Sequence, residues 1–77
     1  MKTETDVQNA LDVILSDSDN YARSLNFAIN YARAARSMSG AELRTQCLYL
    51  LMNISRWRHP RAKYVRDTLR EFSTGIQ

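Results

Sequence analysis

Apolar positions along most of this chain recur at steps of three and four, the period of helices packed on one face. Val7, Ala10, Leu11, Ile14 and Leu15 form the first such run, and Thr5 followed by Gln8 has the form of a capping box, so a helix is expected over about residues 6–16. The polar cluster Ser16-Asp17-Ser18-Asp19-Asn20 then reads as a turn rich in capping acceptors. A second helix is expected from about 20 to 37, with Tyr21, Leu25, Ala28, Ile29, Ala32 and Ala35 along one face. Phe27, Tyr31 and Ala34 widen that face, while Arg23, Asn26, Asn30, Arg33 and Ser37 make the polar one.

Ser39-Gly40-Ala41-Glu42 has the form of a second capping box just after Ser37-Met38, which predicts a tight reversal into a third helix over about 40–58. Its stripe is Leu43, Cys47, Leu50, Ile54 and Trp57, but Leu48, Leu51 and Met52 make its middle apolar almost all round. That pattern predicts a central helix contacted from several sides. Pro60 disfavours helical geometry at His59 and suits a first helical turn, so a corner is expected there, followed by a fourth helix over about 60–73 with Ala62, Val65, Leu69 and Phe72 inward. No segment alternates with the period of a strand. The expected fold is all-α: a small bundle of three or four helices built on a long antiparallel hairpin of helices two and three, with helix four folded back at Pro60 and helix one packed across them.

Seventy-seven residues with two glycines and one proline suit one helical domain with little loop. So thin a core favours burying a further face against a second copy, and a homodimer is expected. Charge adds an asymmetry that the net value of +3 hides. Residues 1–19 carry five carboxylates against Lys2, whereas residues 20–77 carry ten basic side chains against Glu42, Asp67 and Glu71. Nine of the eleven basic residues are arginine, the residue that best makes planar contacts to carboxylate or phosphate.

The positive charge is densest around Pro60: Arg56, Arg58, His59, Arg61, Lys63, Arg66 and Arg70 form the candidate binding surface. On a continuous fourth helix His59, Lys63, Arg66 and Arg70 project within one sector, a geometry able to follow a phosphate backbone. Asp67 and Glu71 interrupt that sector and lie at spacings that pair with Lys63, Arg66 and Arg70. The corner lacks the loop of a helix-turn-helix, and the polar stripe of helix four has no Asn or Gln to read adenine, so contact with nucleic acid is expected at phosphates. Arg23, Asn26, Asn30 and Arg33 form a possible second interface on helix two. Trp57, Tyr49 and Tyr64 lie near the basic cluster; core packing is expected for Trp57.

Catalysis is not expected. With one cysteine and one histidine, a thiol nucleophile and its base would have to be Cys47 and His59, which are twelve residues apart, far beyond hydrogen-bond reach along a helix. One thiol and one histidine make a poor zinc site, and no cofactor motif is present. A lone cysteine among leucines suits a reducing compartment, and Met1-Lys2-Thr3-Glu4 lacks an apolar signal core, so a cytoplasmic location with no membrane partner is expected. The sequence therefore points to a small non-catalytic interaction or regulatory protein, homodimeric, that binds a macromolecular partner through arginine-rich faces. The alternative is a nucleic-acid-binding protein that uses its basic C-terminal helix on phosphates.

Overall fold

Four helices follow one another in a computed structural model that describes residues 2–21 and 25–74. They are α1 (Glu4–Ser16), α2 (Ala28–Ala35), α3 (Gly40–Asn53) and α4 (Ala62–Thr74), with a 3₁₀ turn at Ser18–Asn20, and no strand occurs among the described residues. Each helix packs on two neighbours: α1 on α2 and α4, and α3 on α2 and α4. The result is a closed ring of helices measuring 36 × 21 × 18 Å. The expected all-α bundle and its α2–α3 hairpin are present, and α1 packs on α2 and α4.

The core follows most of the stripes that the periodicity marked, with Val13 and Thr68 added to them and Leu15 and Tyr21 only partly buried. Val7, Leu11 and Ile14 from α1, Ala28 and Ala32 from α2, Leu43, Cys47 and Leu50 from α3, and Val65 and Leu69 from α4 are fully buried. Each large aliphatic side chain so buried contributes about 1.5–3 kcal/mol of transfer free energy. Gln46 is buried as well, and its Nε2 donates to the Tyr31 carbonyl at 3.0 Å across the α2–α3 seam, which satisfies a polar group that would otherwise be costly inside.

The helix ends differ from expectation for local reasons. Thr3 caps α1, its hydroxyl accepting the Asp6 amide while the Asp6 carboxylate accepts the Thr3 amide, so the capping box is Thr3–Asp6 and not Thr5–Gln8. Ser39 makes no side-chain cap on α3. Glu4 does this from another helix, its carboxylate accepting the Gly40 amide at 2.9 Å where the α3 dipole favours negative charge. Gly40 itself has φ +59°, a left-handed conformation that a side chain adopts only with strain.

α2 begins at Ala28, not near residue 20: Ser18–Asn20 form a 3₁₀ turn and residues 25–27 a further turn, while the part of that expectation on residues 22–24 lies outside the described residues. α3 stops at Asn53, not 58, where the Asn53 side chain donates to the Tyr49 carbonyl at 2.8 Å and competes with the backbone ladder. The corner is therefore an eight-residue loop, 54–61, and α4 starts at Ala62 instead of residue 60.

That loop is pinned by two buried side chains, Ile54 and Trp57. The Trp57 indole N–H donates to Asp17 Oδ2 at 2.7 Å, tying the loop to the end of α1, and Asn20 Nδ2 donates to the same oxygen at 2.8 Å. These two bonds, with a smaller pull from His59, hold the Asp17 carboxyl below its ordinary value of 3.8. A group whose folded value is depressed stabilises the fold fully above its unfolded value and ceases to do so as the pH falls through the folded one.

Asp17→Ala should leave the buried indole N–H without a partner and cost about 1–3 kcal/mol, read by urea unfolding followed through the chain's one tryptophan. The same variant should lose less of its stability than the parent as the pH is lowered below about 4; an identical acid dependence in both proteins would contradict this role for Asp17. Gly40→Ala should cost about 1 kcal/mol through backbone strain alone, because nothing lies within 4 Å of the added Cβ; calorimetry that finds no loss would refute the strain.

Candidate anion-binding recess

The 54–61 loop and the first turn of α4 enclose an open recess of about 830 Å3. Arg56, Arg58, His59, Lys63 and Arg66 line it together with Ser55, Trp57, Pro60 and Ala62, and no carboxylate is among the lining residues. Because α4 begins at Ala62, His59 reaches this recess from the loop and not from a helical stripe.

The floor of the recess is built by Trp57. Its indole is buried, and the His59 ring stacks on it with centroids 5.3 Å apart at 28°. His59 Nδ1 accepts the Arg61 amide at 3.0 Å, which fixes the ring and leaves Nε2 as its other polar atom. Arg66 braces the loop from α4: its Nη1 donates to the Trp57 carbonyl at 3.2 Å and lies 3.5 Å from the Ile54 carbonyl. A guanidinium placed there supports the loop carbonyl of Trp57 and, beside Ile54 at the C-cap, complements the α3 dipole. Arg66 is thus a positioning residue as well as part of the positive wall.

Lys63 donates to Asp67 at 2.8 Å, and Arg70 reaches the same carboxylate at 3.3 Å. Lys63 first, and then Arg70, lowers the Asp67 carboxyl below its ordinary value. All three side chains are exposed enough for these pairs to be weak and easily screened. Arg56 and Arg58 are exposed and have no ion-pair partner among the described residues, so theirs is the least compensated charge at the corner.

Five of the seven residues expected at the binding surface therefore meet in one recess, and two do not. Arg61 turns away over the Tyr64 ring, 4.7 Å from its centroid, beside a second recess lined by Asn9, Asp12, Val13 and Ser16 of α1. Arg70 sits further along α4 with Asp67. The pairing of Glu71 with Arg66 or Arg70 does not occur. Of the second expected interface, Asn26, Asn30 and Arg33 are exposed, and Arg23 lies outside the described residues.

Trp57 is buried as expected and Tyr49 is not near the recess: its ring lies 5.8 Å from that of Tyr31 on the α2–α3 seam. Cys47 is fully buried, and burial pushes its thiol up to about 11. No described helix is long and apolar enough to cross a membrane. Sequence reasoning missed Asp17, the residue that seats the floor of the recess, because nothing local links it to a tryptophan forty positions away. No family model, no curated protein and no solved structure matches the chain, so its functional reading rests on this geometry.

Proposed function

We propose that the chain is a small non-catalytic interaction protein, acting as a homodimer in the cytoplasm, that binds an acidic segment of a partner protein in the recess between α3 and α4. The observation that carries this reading is the recess lining, in which five basic side chains surround a concave site that holds no carboxylate. Three of them are arginines, of which Arg56 and Arg58 are free to grip carboxylates bidentately, and an exposed patch of one sign steers an oppositely charged segment toward it.

A compact recess suits a few clustered carboxylates better than a long backbone. The alternative, a nucleic acid followed by the basic helix, draws on a stripe of Lys63, Arg66 and Arg70. Two of these share Asp67, and the third is committed to loop carbonyls, which lowers the support for that reading.

Anisotropy titrations with a labelled poly-glutamate peptide and with mixed-sequence DNA and RNA oligonucleotides test the choice. The peptide should bind with an affinity that falls with salt, and Arg58→Glu/Lys63→Glu should weaken it by about tenfold or more with Trp57 emission unchanged. Oligonucleotides bound more tightly than the peptide at near-physiological salt would overturn the protein-partner reading. Asp67→Asn removes a competing carboxylate beside Lys63 and should tighten the peptide on the order of twofold to fivefold at low salt, an effect that added salt erases.

A further inference from the structure

The outward side of the α2–α3 hairpin carries apolar side chains that the ring of helices leaves uncovered. Phe27 is 68% exposed, Met52 74%, Leu48 and Tyr49 47% each, and Tyr31 37%. The all-round apolar pattern of α3 predicts contacts on several sides, yet its main packing partners are α2 and α4. At about 100° per residue, Leu48 and Met52 point away from the core stripe of Leu43, Cys47 and Leu50. Tyr49 leans toward α2, where its ring meets Tyr31, so the two helices present one continuous surface. The residues interleaved with it, Asn30, Ala34, Ala41 and Thr45, are exposed and uncharged.

We propose that a second copy of this chain covers this face, in a two-fold dimer whose centre is Phe27, Tyr31, Leu48, Tyr49 and Met52. The proposal rests on the homodimeric reading above and assigns it a surface, which is not the polar stripe expected from the sequence. Size is the first argument. These five side chains leave about 500 Å2 exposed, at the upper end of what a monomer shows as one patch. Two copies face to face remove about 1,000 Å2 before any rim is counted, the minimum for a specific interface, and the rim brings the total toward the usual range of about 1,200–2,000 Å2.

Charge is the second argument. The side chains named on this face carry no charge, so an acidic partner finds no cation among them, whereas two copies, each of net charge +3, bring no like charges together at its centre. An interface centre depleted of charge and rich in Tyr, Phe and Met has the composition that such centres favour. Self-association through one isologous patch also needs that patch to be its own complement, and a mainly apolar, uncharged surface meets that condition.

Sedimentation equilibrium on the full chain, from micromolar to several hundred micromolar, tests the proposal. The parent should approach twice 8.9 kDa, and Phe27→Lys/Met52→Lys should raise the dimer dissociation constant at least about a hundredfold. Both positions are solvent-exposed, so circular dichroism and Trp57 emission should not change; Leu48→Lys serves in the same assay if the double variant does not fold. A parent that stays at 8.9 kDa throughout overturns the proposal, and so does a dimer that survives these folded variants. The poly-glutamate titration run on the same samples keeps the two readings apart: loss of peptide binding with the dimer intact counts against the recess alone.

Discussion

The bond from the Trp57 indole to the Asp17 carboxylate is the constraint on which the cationic end of this molecule depends. A tryptophan buried from within a loop needs a partner for its N–H, because an orphaned donor costs a large part of what burying the ring contributes. Asp17 supplies that partner at the point where α1 ends, and the bond fixes the loop against a helix forty residues earlier. His59 stacks on the ring so held, Arg66 braces the carbonyls behind it, and the remaining cations converge around the floor that results.

The ring of helices has a second consequence. With two neighbours each, four short helices bury one stripe apiece and leave the opposite stripe to solvent. On α4 and along most of α2 that stripe is polar, whereas on α3 and the adjoining edge of α2 it is apolar. The molecule thus presents a cationic recess at one corner and a mainly apolar face along one side, two surfaces of different chemistry.

Much of the architecture was legible because amphipathic periodicity reports burial directly. Leu43, Cys47, Leu50, Ile54 and Trp57 are all buried, as their spacing implies, and Val65, Leu69 and Phe72 turn inward on α4. Helix ends were less legible. Trp57 continues the α3 stripe in register, yet it is reached after the helix has ended, since a buried position and a helical backbone are separate requirements and Asp17 satisfied the first without the second. The same limit applies to the caps: Glu4 caps α3 across the bundle, and a local pattern such as Ser39 to Glu42 carries no information about a carboxylate thirty-six positions away.

By itself, the sequence determined that the chain is all-α, which side chains form its core, and that its positive charge gathers around Pro60, because each of these follows from local spacing and composition. Tertiary structure alone decided which cations converge. Arg56, Arg58, His59, Lys63 and Arg66 share a recess while Arg61 and Arg70 leave it, and Leu48 and Met52 lie uncovered instead of central. The physical reason is common to both: convergence and exposure depend on where helices stop and on which helix lies opposite, and long-range contacts such as Trp57 to Asp17 set those.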